Sequence, residues 1–474
     1  MVNRLWCETV IPILWRTPWR NDNNYRNKNS LYSIITSYLS NDIKEFLAKK
    51  GIQTSGQSPA FDYLSFCKSI DVKIINEIIS IGSSSKYNRF LLQEEIYSFL
   101  IKKCPEIKYL NIRGTYELVY LPEAEVRLES LCELTCDTSI DPKYFYRISH
   151  ICQQIQNIII INNNYKVNYG TIKLIEFQKN LRYFEWVDDL DRDDFDVNYY
   201  MSYDMENPYT YFFDILKKHA STLNHIEISL DGSLYNYYDY YNNHNNYNDF
   251  DHTCLQYILL ELHNLKEIVI NFPIFSNDYY FNIELESMVD YRNLESFVID
   301  TIDIYHVTCI IKNSFYLKEL WIDEYTSENL VDDSLDFIQT IYENCPLIEH
   351  LSIPTFPLLG SHFIEFEKLL KKCQNMSALH FIYAFYKEGK DLDYGEYLSD
   401  VLVEASMNLR EIGFSYHMRF SLEDLETFLE KWKGRPAISI YLCRSFIYEK
   451  DESYKDLISK YKTEGVIKYI SIFE

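Results

Sequence analysis

His244 and His252 lie close in sequence to Asp249 and Asp251, a set of imidazoles and carboxylates that could ligate a divalent metal. His244, Asp249 and Asp251 sit in a stretch, Tyr235 to Asp251, that alternates Tyr, Asn and Asp, and His252 follows directly. Such low complexity predicts no rigid second shell to orient the ligands, so a metal site is not expected there. Gly82-Ser83-Ser84-Ser85-Lys86 comes nearest to a phosphate-binding loop, but it lacks the second glycine and the spacing, and it reads as a turn. Paired carboxylates such as Asp193 and Asp194 could do general acid–base work. In a chain with 70 Asp and Glu against 46 Lys and Arg, such a pair carries no information. No nucleophile elbow, dinucleotide fingerprint or paired-histidine zinc helix occurs. The eleven cysteines include no Cys-x-x-Cys pair; Cys132 and Cys136, the closest two, fall inside an apolar pattern, and Cys104, Cys345 and Cys373 each precede an apolar run. They read as buried, reduced thiols acting as small apolar residues, rather than as a zinc site or a disulfide framework. No catalytic residue, metal or cofactor is expected, and the chain is read as something other than an enzyme.

What remains is binding, and the elements that would position binding residues are legible from a recurring apolar-x-x-apolar-x-apolar triplet. It stands at Ile107-Leu110-Ile112, Leu131-Leu134-Cys136, Ile155-Ile158-Ile160, Leu181-Phe184-Trp186, Leu223-Ile226-Ile228 and Leu265-Ile268-Ile270. It continues at Leu294-Phe297-Ile299, Leu317-Leu320-Ile322, Ile348-Leu351-Ile353, Met376-Leu379-Phe381, Leu409-Ile412-Phe414 and Ile467-Ile470-Ile472. Successive starts up to Leu409 lie 24, 24, 26, 42, 42, 29, 23, 31, 28 and 33 residues apart, near or above the ~20–29 of leucine-rich repeats. The last gap leaves room for a degenerate copy around Ile438 and Ile440.

The spacing has a physical reading. Alternation over the last three positions is strand-like and puts the second and third apolar residues on one face. Between triplets the period turns helical, as in Leu92, Ile96 and Phe99, in Phe363, Phe366 and Leu370, and in Leu425, Phe428 and Trp432. Each repeat is then a strand and a helix that bury their apolar faces only by stacking on their neighbours. The expected fold is an α/β leucine-rich-repeat solenoid, a horseshoe with parallel inner strands and outer helices. Conventional βαβ units are disfavoured because they need longer connections and more glycine than the 12 present. Two insertions, 188–207 and 235–251, coincide with the 42-residue spacings; the first holds eight acidic residues against one Arg.

If the second and third triplet residues are buried, the residues beside them face outward on the concave wall. The middle outward positions read Asn111, Thr135, Ile159, Glu185, Glu227, Val269, Val298, Trp321, Ser352 and His380. Trp321, flanked by Glu319 and Asp323, combines a large anchor with an acidic rim. Val269, Val298, Asp300, His350 and His380 extend the patch, and these eight residues form the expected substrate-binding face.

The formal charge of -24 would repel nucleic acid and the anionic face of a membrane, so a charged partner should be basic. No stretch approaches the ~18 apolar residues of a membrane helix. The start, Met1-Val2-Asn3-Arg4-Leu5-Trp6, lacks a secretory signal, which with the thiols points to the cytoplasm or nucleus.

Residues Val2 to Trp19 are too rich in tryptophan and aliphatic residues for a solvated tail. Val2, Asn3, Trp6, Ile11, Pro12, Leu14, Trp15 and Arg16 resemble the second half of an F-box, in which a Val-Asn-x-x-Trp helix is followed by an aliphatic turn ending in Leu-Trp-Arg. With the repeats behind it, the chain resembles the F-box/leucine-rich-repeat proteins that form large expanded families in fungi. The resemblance implies a partial F-box at 1–20, with Val2, Trp6, Ile11, Leu14 and Trp15 binding the adaptor protein of a cullin-RING (SCF-type) ubiquitin ligase. A linker and amino-terminal cap would fill 21–60, and a repeat domain at 61–474 would present a protein substrate. The Leu-Pro segment and first helix of the motif do not precede Met1, so either the reading frame is truncated or adaptor binding has been lost. On the residues alone, Trp6, Leu14, Trp15 and Trp19 could equally cap the end of a solenoid, which terminal repeats require. The chain would then be a ligase-independent binding scaffold.

Overall fold

The structure is a computed structural model that describes residues 4–19, 28–114, 117–164, 166–189, 208–230, 253–272, 274–275, 279–288, 290–327, 329–385, 392–393, 395–415, 418–419, 421–443 and 451–473. Most of insertion 188–207 and all of 235–251 fall outside these residues, with Asp193, Asp194, His244, Asp249, Asp251, His252, Val2 and Asn3. The chain divides into two compact units, Met1–Thr222 and Leu223–Glu474.

The first unit opens with helices α1 (Arg4–Leu14), α2 (Lys28–Ser37) and α3 (Asn41–Lys49). Residues 21–60, expected as linker and cap, therefore include two helices, and Tyr32, Ile35, Leu39 and Leu47 are buried there. Strands and helices then alternate: β1 (Ser69–Asp71), α4 (Val72–Gly82), α5 (Lys86–Lys103), β2 (Tyr109–Asn111), α6 (Ala124–Leu128), β3 (Glu133–Asp137), α7 (Pro142–Ile151), β4 (Asn157–Asn162), α8 (Tyr169–Glu176), β5 (Tyr183–Asp188) and α9 (Pro208–Leu216). The five strands pair in chain order and are all parallel. Gly82 and Lys86 end and begin two helices, so the glycine–serine stretch between them is a turn.

The second unit repeats the scheme through β6 (His225–Ser229), α10 (Thr253–Glu261), β7 (Glu267–Ile270), α11 (Tyr279–Met288), β8 (Ser296–Asp303), α12 (Ile304–Ile311), β9 (Glu319–Thr326), α13 (Leu330–Asn344), β10 (His350–Pro354), α14 (Gly360–Lys372) and β11 (Ala378–Ile382). It continues with β12 (Ala384–Phe385), β13 (Leu392–Asp393), α15 (Gly395–Val401), β14 (Glu411–Phe414), β15 (Met418–Arg419), α16 (Leu422–Trp432), β16 (Ile438–Cys443), α17 (Glu452–Thr463) and β17 (Ile467–Phe473). Its sheet runs β6-β7-β8-β9-β10-β11-β14-β16-β17, again parallel and in chain order. Each unit thus has a solenoid-like α/β order, strand after strand with one or two helical crossovers between.

The triplets explain this order. Their second and third residues stack across strands, Leu134 on Ile158 on Phe184 in the first unit and Phe297 on Leu320 in the second. From Ile107 to Phe414 every triplet residue is buried. Burying one such aliphatic side chain is worth roughly 1.5–3 kcal/mol, so three per repeat outweigh any local strand preference. A further copy, Cys67-x-x-Ile70-x-Val72, is buried at β1, and the degenerate copy at Ile438 and Ile440 is β16. In the strands β4, β5 and β6 buried residues alternate with part-exposed ones, so the helices cover one face and leave the other open.

Local signals set the helix ends. Asp71, Asp141, Asn168, Asp303 and Ser421 each cap a helix with a side-chain oxygen accepting from the first turn. Cys104, Cys152, Cys345 and Cys373 follow α5, α7, α13 and α14 and are fully buried. The Cys152 thiol donates to the Leu128 carbonyl at the end of the preceding helix, 3.2 Å away. A thiol is small enough for this spot and still offers a weak donor, which accounts for cysteine before the apolar runs. Among the described residues no helix is long and apolar enough to cross a membrane.

Candidate functional site

The eight residues expected on the binding face all lie on the second unit's sheet, on the face opposite the buried triplets. Val269, Val298 and Trp321 stand opposite one another on β7, β8 and β9, each part-exposed. Glu319, one step back along β9, accepts a hydrogen bond from the Ser296 hydroxyl at 2.9 Å, and exposed His350 lies 3.9 Å from it. One step forward, Asp300 and Asp323 flank the Val298–Trp321 pair. The Trp321 indole N–H donates to Asp323 at 2.8 Å, which fixes the ring's edge.

His380 departs from expectation. It occupies the open-face position of β11, yet only 8% of it is exposed. The cause is the size of its neighbours. On β10 the equivalent position is Ser352, whose hydroxyl turns in to accept from the Ile322 N–H at 2.8 Å, where the β9–β10 ladder stops after Leu351. On β14 it is Gly413, where an added Cβ would stand 2.1 Å from His380 Nδ1. With these small residues on both sides the imidazole lies down across the sheet. It meets the Trp321 ring at 4.7 Å between centroids and places Nε2 2.8 Å from a Glu411 oxygen. Burial pushes the imidazole down from its ordinary value, against the pull of Glu411. A carboxylate only accepts, so Nε2 is the donor of this bond.

The row continues through residues that sequence reasoning missed. Tyr441 on β16 lies 5.7 Å from His380, and Tyr469 on β17 lies 6.1 Å from Tyr441. Trp321, His380, Tyr441 and Tyr469 thus form a band of rings with Glu319, Asp323 and Glu411 beside it. The available signal was the outward position of the degenerate β16 copy, two residues before Cys443. Among the described residues no group of three His, Cys, Asp or Glu could hold a metal. What it offers chemically is stacking, apolar contact and negative charge.

The amino-terminal candidates divide in two. Trp6 and Leu14 on α1 are 63% and 58% exposed, with Ile13 at 69% beside them. Ile11 is half-buried, while Trp15 packs on Tyr63 at 4.6 Å between ring centroids. Trp19 is buried and donates its indole N–H to the Ser69 carbonyl, and the Lys68 N–H donates to the Arg16 carbonyl, both 2.9 Å. The segment after α1 therefore covers the start of the first unit's sheet, while Trp6, Ile13 and Leu14 of α1 keep most of their surface exposed. Val2 lies outside the described residues. In comparisons with known proteins the chain matches no protein-family model and no curated protein.

Proposed function

We propose that the chain is a leucine-rich-repeat protein that binds another protein on the open face of its second unit and contributes no catalytic residue. The observation that carries this reading is Trp321, a part-exposed indole on an otherwise regular sheet, pinned by Asp323 and backed by His380. A large ring held rigidly on a polar-rimmed surface is the kind of residue that dominates binding energy, because it loses little freedom when a partner covers it.

Within this reading, α1 is the adaptor contact of a partial F-box, and the chain is the substrate-recognition subunit of an SCF-type cullin-RING ubiquitin ligase. It would accelerate ubiquitin transfer only by holding the substrate near the charged carrier. The exposure of Ile13 and Leu14, with Trp6 beside them, supports an adaptor contact. The internal packing of Trp15 and Trp19 favours the second reading, a ligase-independent scaffold whose first residues only cap the sheet. Either reading goes with a cytoplasmic or nuclear protein.

Pull-down of the adaptor by the full chain discriminates the two. Retention that is lost in Trp6→Ala with Leu14→Ala supports the ligase role; no retention leaves the scaffold. Trp321→Ala should weaken partner binding by about tenfold or more while barely moving the unfolding midpoint. A large loss of stability with unchanged binding would put Trp321 in the core and end the proposal.

A further inference from the structure

Among the described residues, the open face between β8 and β9 sets two like charges side by side with no cation paired to them. Ile299 pairs with Ile322 and Thr301 with Glu324, so Asp300 and Asp323 stand side by side on neighbouring strands. Like charges placed so destabilise a sheet unless a cation lies between them. Among the described residues Asp300 has neither a hydrogen bond nor an ion pair, and Asp323 accepts only from Trp321. Asp300 is half-buried; burial first, and then the charges of Asp323 and Glu324, hold its carboxyl above the usual carboxylate range. The outward positions of β6 to β11 and β14 include no Lys or Arg. His380 is committed elsewhere, its Nε2 lying 2.8 Å from a Glu411 oxygen.

We propose that this face binds an arginine side chain of the partner protein, its guanidinium lying against Trp321 and bonded to Asp300 and Asp323. The inference rests on the protein-binding reading of the same face and gives that partner its chemistry. Three features choose arginine. The guanidinium is planar and stacks on an indole, whereas an ammonium acts as a point charge. Its donors form a fork that can reach two carboxylates at once. The chain's charge of -24 draws a basic segment toward the surface before contact. A divalent metal fits less well, because the group beside the two carboxylates is an aromatic ring rather than a third ligand.

The test uses the full chain and a fluorescent peptide of Gly-Leu-Arg repeats, with counterparts carrying lysine or uncharged citrulline for arginine. Binding is read by anisotropy at about 0.15 M salt, where long-range attraction is largely screened. The arginine peptide should bind at least about tenfold more tightly than the citrulline peptide, with lysine between them. Asp300→Asn with Asp323→Asn should abolish that preference, and its melting temperature should be no lower than that of the unmodified chain, because the change removes repulsion. Glu423→Gln with Asp456→Asn removes the same charge from exposed positions on α16 and α17 and should leave the preference intact. Equal binding of arginine and citrulline peptides overturns the proposal, as does a preference that survives the double aspartate change. If all peptides bind alike and all are lost in Trp321→Ala, the arginine site is refuted and the protein-binding face stands.

Discussion

Gly413 shows how one missing side chain shapes the surface around it. A Cβ there would stand 2.1 Å from His380 Nδ1 and 2.8 Å from Cγ, both in a ring held by Trp321, Glu411 and Tyr441. Gly413→Ala should therefore cost about 1–3 kcal/mol of stability, as overpacking does, measured by chemical denaturation. His380→Ala in the same chain should recover most of it, giving a coupling energy in a double-mutant cycle. Additive effects of the two changes would mean that the ring is free to move aside. At this scale the sequence was informative where period two decides, which put Trp321 and His380 on the same face. It was silent on exposure, because His380 is covered through Ser352 and Gly413, 28 residues before it and 33 after it. No local pattern records that two distant neighbours are small. The acid pair was equally hidden: Asp300 and Asp323 appear as separate rim residues until the β8–β9 register sets them side by side.

Among the elements, α12 carries the clearest pH dependence. His306 is 1% exposed beneath Phe275 and Phe281, its Nε2–H donates to Asn282 at 2.8 Å, and its buried Nδ1 has no partner among the described residues. Burial lowers its pKa from 6.5 to about 4. The unfolded chain takes up this proton near pH 6.5 and the folded chain only near pH 4, so the contribution is complete above pH 6.5. It is lost as the pH falls through that window, to a total of about 3 kcal/mol. Unfolding free energies measured from pH 7 to 4 should fall more steeply for the unmodified chain than for His306→Phe, with the carboxylates cancelling in the difference. Parallel curves would show that the imidazole is not held neutral. The triplets located most strands because each supplies three buried contacts, but they gave no account of two elements. The copy at β1, beginning with Cys67, stands 40 residues before Ile107 and apart from the 24-residue spacing that follows. The partner change of β9, from β10 to β12 at Tyr325 and Thr326, depends on the Ser352 hydroxyl replacing a backbone acceptor.

Within each unit, stability is passed from neighbour to neighbour, because successive strands of its main order pair with one another. The backbone shows this as a staircase: Glu295 N–H donates to Lys266 O, Lys318 to Glu295, Glu349 to Lys318, Ser377 to Glu349 and Arg410 to Ser377. Charged side chains follow the same steps, with Lys266 and Lys318 both on Glu295. These pairs lie at the surface, where solvent screens them, so the buried triplets carry the order. In such an array, damage should spread by proximity rather than collapse the chain at once. Leu320 is fully buried, opposite Phe297 on one side and Leu351 on the other. Leu320→Ala should cost about 2–5 kcal/mol. Hydrogen exchange should then quicken most in β8, β9 and β10, less in β7 and β11, and least in β16 and β17. Uniform acceleration across the second unit would mean that it unfolds as one cooperative block, and the repeat would then describe its geometry without describing its energetics.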